Sequence, residues 1–195
     1  MRVGLLALSL LLLSSPRAWA EWQIKPFLGV TFGGDTTFID LKHAAGGPNV
    51  VVGVNGALVG EVLGIEADLG YASGFFQSGD QHLVAESSAT TLTGNVVIAM
   101  PRRLVPYTLR PYFVAGLGLM HTRINPGLGV LQVSSTLPAV DVGGGATGFL
   151  TDRIGLNWDV RRFSSFGGTV EGRGLSFGAE QLAFWRAIMA IAIRY

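Results

Sequence analysis

The chain has 195 residues, one domain's worth. It contains no Cys, which excludes a disulfide framework, a thiolate metal site, a thiol nucleophile and a Cys-anchored lipoprotein. Only 14% of residues are charged against 49% hydrophobic, and the net charge is +1 with no Lys/Arg run longer than two; this excludes intrinsic disorder and gives no electrostatic footprint for nucleic acid.

In chain order, the first predicted element is a processed one. Met1-Arg2-Val3 is a basic start, Gly4 to Leu13 an apolar core, and Ala18-Trp19-Ala20 a small-x-small site. This predicts a secretory signal peptide over 1–20, cleaved after Ala20, because the apolar run is too short to span a bilayer. Losing Arg2 and Arg17 reduces 14 basic residues to 12 against 13 acidic, a net of −1. A secreted chain without Cys suits a Gram-negative envelope.

From Glu21 to Tyr195 the periodicity is two, not 3.6. Trp22, Ile24, Pro26, Leu28, Val30 and Phe32 alternate with Gln23, Lys25, Phe27, Gly29 and Thr31. Leu63, Ile65, Ala67, Leu69 and Tyr71 alternate with Gly64, Glu66, Asp68 and Gly70. Phe113, Ala115, Leu117 and Leu119 alternate with Tyr112, Val114, Gly116 and Gly118. Ile154, Leu156, Trp158 and Val160 alternate with Gly155, Asn157, Asp159 and Arg161. Trp185, Ala187, Met189, Ile191, Ile193 and Tyr195 alternate with Arg186, Ile188, Ala190, Ala192 and Arg194. With weaker segments added, eight strands are predicted at 22–34, 49–58, 63–72, 90–100, 111–121, 139–149, 154–163 and 184–195. Strands of about ten residues, tilted near 45°, have the length that crosses a bilayer core. Long polar connections (35–48, 73–89, 122–138, 164–183) alternate with shorter ones (59–62, 101–110, 150–153), the pattern of an up-and-down barrel.

The expected fold is therefore all-β: an eight-stranded antiparallel up-and-down transmembrane β-barrel over 21–195. A soluble barrel would turn its apolar faces inward and need a charged outer surface. Here the polar faces hold mostly Gly, Ala, Thr and Asn with few charges, which suits a narrow lumen filled by side chains. The charges assigned to that lumen balance four against four: Lys25, Arg161, Arg186 and Arg194 with Glu66, Asp68, Asp141 and Asp159. Buried charges are tolerated when paired, and a sheet in lipid must close to satisfy its edges.

The stretches Arg110-Pro111-Tyr112-Phe113-Val114-Ala115-Gly116-Leu117-Gly118, Gly143 to Leu156, Asp159-Val160-Arg161 and Ile191-Ala192-Ile193-Arg194-Tyr195 resemble the small outer-membrane β-barrels, the family of the outer membrane protein A transmembrane domain and outer membrane protein X. The resemblance implies an outer-membrane location with periplasmic termini. It also makes Ile191, Ile193 and Tyr195 a signal for the barrel-assembly machinery. It does not imply one function, because function on this fold lives in grafted sites.

Several motifs have plainer readings. Gly143, Gly145 and Gly148 satisfy GxGxxG, but a turn and a strand follow where a dinucleotide site needs a helix; small residues that make room in a narrow barrel explain them better. Gly174-Leu175-Ser176-Phe177-Gly178 satisfies GxSxG, yet His43, His82 and His121 all precede Ser176, which does not suit a nucleophile elbow. His43 with Asp40 and His82 with Asp80 fall in two loops with no spacing that demands a metal. Lipid A deacylases of the resembling family pair a strand His with a nearby Ser; here the run is His121-Thr122-Arg123, a departure that argues against that enzyme. Trp22, Tyr71, Tyr112, Trp185 and Tyr195 are read as interfacial girdles.

The expected function is a non-enzymatic barrel without cofactor or metal. It would present four surface loops in an envelope-stability or surface-interaction role. The loops carry six acids (Asp35, Asp40, Asp80, Glu86, Glu171, Glu180), three bases (Lys42, Arg123, Arg173) and the apolar Phe38, Ile39, Phe75, Phe76 and Phe166. A narrow channel is the alternative and lipid A modification a third reading. Because eight strands leave room only for side chains, the lumenal charges are read as a plug before a pore. Expected partners are outer-membrane lipid and lipopolysaccharide, the assembly machinery and an extracellular loop ligand, with the barrel monomeric.

Overall fold

The computed structural model describes residues 20–36, 48–74, 84–105, 109–126, 133–166 and 182–195. The chain runs β1 (Glu21–Thr36), β2 (Asn49–Val59), β3 (Leu63–Ser73), β4 (Val84–Ala99), a 3-10 turn (Arg102–Leu104), β5 (Leu109–Pro126), β6 (Val133–Phe149), β7 (Ile154–Ser165) and β8 (Leu182–Arg194). Each strand pairs antiparallel with the next, and β8 returns to β1, closing an eight-stranded barrel. Closure leaves no edge of unpaired N–H and C=O groups, the condition for a sheet to sit in hydrocarbon.

The connections 60–62, 100–108 and 150–153 lie at one end, with Glu21 and Tyr195. In the last, Thr151 Oγ1 accepts from the backbone N–H groups of Arg153 and Ile154, fixing the turn into β7. The connections 37–47, 75–83, 127–132 and 167–181 leave from the other, loop end. The loop residues Asp40, Asp80, Glu171, Glu180, Lys42, Arg173, Phe38, Ile39, Phe75, Phe76, His43, His82 and Ser176 lie outside the described residues, as do residues 1–19 of the expected signal peptide.

The alternation sorts side chains onto two faces. Outward stand Leu28, Val54, Ile65, Leu92, Val96, Leu117, Val142, Val160 and Met189; Phe113 is 74% exposed. In water such a continuous apolar band would drive association, whereas hydrocarbon accepts it. Inward stand Lys25, Asn55, Glu66, Asp68, Thr93, Asn95, Asp141, Asn157, Asp159, Arg161 and Arg186, all buried. Leu156 and Ile191 lie on the outward face; Asn157 and Ala192 are lumenal.

β4, β5 and β6 extend five or six residues further at the loop end than the sequence pattern predicts, and β1, β7 and β8 two residues further. β4 begins at Val84 rather than 90, β5 ends at Pro126 rather than 121, and β6 begins at Val133 rather than 139. Asp35, Glu86 and Arg123 consequently fall in strands, not loops. The reason is that apolar alternation marks only the stretch in contact with lipid. Beyond it the outward positions become Ser88, Thr90, His121, Arg123, Ser134 and Thr136, while the ladders continue.

Candidate functional site

Five strands (β1, β3, β6, β7 and β8) bring the charged lumenal residues together. Arg161, from β7, is the hub. Its Nε donates to Asp159 Oδ1 (2.7 Å) and its Nη2 to Asp159 Oδ2 (2.8 Å). Nη2 also lies 2.7 Å from Glu66 Oε1, and Nη1 lies 3.5 Å from Asp141 Oδ2 and 3.8 Å from Asp68 Oδ2. Lys25 Nζ on β1 donates to Glu66 Oε2 at 2.9 Å. Arg186 on β8 grips Asp68 through both terminal nitrogens, at 2.8 and 2.6 Å. A planar guanidinium suits these paired carboxylate contacts in a way an ammonium does not.

Neutral groups complete the hydrogen bonding. Tyr112 donates to Asp159 Oδ2 at 2.6 Å, and Asn157 Nδ2 donates to the Tyr112 oxygen and to Thr147 Oγ1, each at 2.9 Å. With their amides oriented as the neighbours require, Asn55 donates to Asp68 Oδ2 (2.6 Å), while Asn95 donates to Asp141 Oδ1 (2.9 Å) and accepts from Arg161 Nη1 (2.8 Å). Buried charges survive in a lumen when every member of the network has such partners.

Two sequence expectations are corrected here. Arg194 does not join the network. As the last residue of β8 it lies at the turn-end mouth, where Nη1 meets Glu21 Oε1 (3.2 Å) and Nε donates to the Asp152 carbonyl (2.7 Å). Arg102 binds Glu21 from the other side. The network therefore holds three cations against four carboxylates, and the excess acid is met by Tyr112 and the asparagines. Tyr112 is not an interfacial girdle either. It is 6% exposed, on the lumenal side of the alternation, below Lys25 Nζ at 5.4 Å from the ring centroid. Trp22, Tyr71, Trp185 and Tyr195 do stand on the outward face, and the Arg162 guanidinium covers the Trp185 ring at 5.5 Å.

The lumen changes character along its axis. Towards the loop end Arg186 is sandwiched between Phe27 and Phe163, at 4.9 and 4.6 Å from the centroids. Phe163 stacks on Phe184 (5.2 Å), and Met120, Ala139, Leu182 and Ile188 join the same buried apolar cluster. Towards the turn end the network borders a cavity of about 430 Å³ whose lining includes Gln23, Lys25, Arg110, Tyr112, Phe149 and Arg194.

Gly143 and Gly145 of the GxGxxG run belong to this packing. A Cβ on Gly143 would meet the Val160 carbonyl at 2.2 Å and the Arg161 side chain at 2.8 Å; one on Gly145 would meet the Trp158 carbonyl and the Tyr112 hydroxyl at 2.1 and 2.8 Å. These positions are empty so that Arg161 and Tyr112 can lie flat against β6. Ile191 stands on the outward face and Ile193 is half-buried. Tyr195 is exposed beside β1, its N–H donating to the Trp22 carbonyl (3.0 Å). Among the described residues, no three His, Asp or Glu side chains form a metal-binding group.

The barrel resembles solved outer-membrane barrels at low identity. Neisserial surface protein A aligns with a TM-score of 0.64 and 10% identity, covering 90% of this chain and 97% of that one. The outer membrane protein OprG of Pseudomonas aeruginosa gives 0.55 and 11%, over 91% and 97%. The N-terminal barrel of OprF from the same organism gives 0.50 and 16%, over 92% and 100%. No curated protein sequence matches the chain. The family model described as outer membrane protein beta-barrel domain matches residues 5–180, so this chain, with its lipid-facing apolar band and closed sheet, belongs to the outer membrane protein β-barrel family.

Proposed function

We propose that the protein is a sealed, non-enzymatic outer-membrane barrel. It presents its four loop-end connections at the cell surface and holds its termini in the periplasm after removal of residues 1–20. Its role is surface interaction or envelope stability. The observation that carries this reading is the lumen itself: a charge network backed by stacked Phe163 and Phe184 fills the interior with side chains on the loop side of the turn-end cavity. With the interior filled, the parts left to meet a partner are the loops and the lipid-facing wall.

His121 supports the non-enzymatic reading. Its Nδ1 lies 2.7 Å from Thr136 Oγ1, a geometry a nucleophile and its base would need, but the residue orienting its Nε2 is Arg123 (3.0 Å). A cation there opposes the imidazolium that a general base must become, whereas a carboxylate would favour it. The channel reading draws on the turn-end cavity, which reaches Lys25; ions passing further would have to displace Arg186 and Phe163.

The test is a peptide tag in the 167–181 connection and another after Tyr195. In intact cells the first should bind antibody and the second only after permeabilisation. A deletion strain should then lose surface adhesion or resistance to envelope stress. The reverse labelling would overturn the orientation, and a deletion that alters only solute uptake would favour the channel.

A further inference from the structure

Just past the apolar band, β4, β5 and β6 set two rows side by side on the outward face. Thr90 pairs with His121 and His121 with Thr136; Ser88 pairs with Arg123 and Arg123 with Ser134. Four hydroxyl residues thus flank one imidazole and one guanidinium. The centre of the group is ordered. Arg123 Nε donates to His121 Nε2 at 3.0 Å, and Arg has no acceptor, so Nε2 carries no proton. The ring proton is therefore on Nδ1, which donates to Thr136 Oγ1 at 2.7 Å. That leaves the Thr136 hydroxyl proton as a donor on the outward face, beside the exposed guanidinium of Arg123.

The position restricts what those donors meet. Along β5 the outward residues Phe113, Leu117 and Leu119 are exposed to hydrocarbon; His121 and Arg123 follow at the next two outward positions, where headgroups begin. A guanidinium with clustered hydroxyl donors matches a phosphate monoester. We propose that the Ser88, Thr90, His121, Arg123, Ser134 and Thr136 cluster on the outer wall of β4–β6 is a binding site for the phosphate of an outer-leaflet glycolipid. The acyl chains would lie along Phe113, Leu117 and Leu119. This identification of the lipid rests on the loop end facing the cell exterior; the phosphate site itself does not.

The experiment is native mass spectrometry of the folded barrel released from detergent, titrated with diphosphorylated lipid A, its dephosphorylated form, phosphatidylglycerol and inorganic phosphate. The wild type should bind one diphosphorylated lipid A about tenfold more tightly than the dephosphorylated form, the value of one charge-assisted contact. Arg123→Gln and Thr136→Val should reduce that preference. Arg162→Gln, which changes an outward cation on β7, should keep it, and each variant's fold is checked by its migration before and after boiling. Equal binding of both lipid A forms, or an unchanged preference in Arg123→Gln, overturns the site. Saturation by inorganic phosphate at the same concentration overturns the lipid ligand. Tighter binding of phosphatidylglycerol than of lipid A overturns the glycolipid assignment even where the tagging experiment upholds the orientation.

Discussion

The two halves of the lumen close the same space by opposite means. On the turn side, above a small apolar cluster of Ala57, Val59, Val97, Ala99 and Val114, the side chains are charged and held by direction: Arg161 and Arg186 reach carboxylates on β3, β6 and β7 through bonds of defined geometry. On the loop side Phe27, Met120, Phe163, Leu182 and Phe184 fill volume without direction. The first half ties together strands distant in sequence; Arg186 and Asp68 are separated by 118 residues. The second excludes water, which raises the strength of the ion pairs beside it. A narrow barrel with polar walls throughout would fill with water, and one with apolar walls throughout would have little to fix its register.

Removing the hub should have the largest effect. Arg161→Ala leaves Asp159, Glu66 and Asp141 short of a cation, and breaking a buried ion pair by losing one partner costs about 3–5 kcal/mol. Reversible urea unfolding in lipid should show that loss, with part of it recovered in Arg161→Ala/Asp159→Asn. An unchanged midpoint would mean that water already screens the network.

Phe163→Ala tests the other half and should cost about 3 kcal/mol through lost burial and a cavity. Because Phe163 covers Arg186, its coupling to Asp68→Asn in a double-mutant cycle should exceed its coupling to Lys25→Met. Equal coupling would show that the two halves act independently.

Tyr112→Phe removes one donor from Asp159 and should cost about 1–3 kcal/mol, the penalty for an acceptor left short. The smallest effect belongs to the mouth. Arg194→Ala breaks a partly exposed pair with Glu21 and should cost about 0–1 kcal/mol. A loss at Arg194 as large as that at Arg161 would erase the distinction between lumen and rim.

The same contrast shows what a sequence can express. The number of strands, their order and the direction of each side chain in the lipid-spanning stretch were readable, because lipid on one side and a packed lumen on the other impose a period of two. The loop-side extensions of β4, β5 and β6 were not, because the constraint that writes apolar alternation ends with the hydrocarbon. Tyr112 was readable and misread: its place opposite Phe113 puts it in the lumen, but its nearness to a strand end suggested a girdle. Arg194 shares the lumenal parity of Arg186, and parity alone carries no depth. Nothing in the sequence distinguishes Arg161 as a hub, and nothing pairs His121 with Thr136. Both depend on strand register, which sets contacts between residues 15 and more positions apart. Gly143 and Gly145 read correctly as space-makers, although which side chains they admit, Arg161 and Tyr112, needed the folded barrel.

The most direct test of a sealed lumen is single-channel recording of the refolded barrel in planar bilayers, beside the Phe163→Ser/Arg186→Ser double variant. The account predicts no steady conductance from the wild type, and discrete openings from the variant once both the aromatic lid and the guanidinium behind it are gone. Stable ohmic conductance from the wild type at the same ionic strength would contradict it.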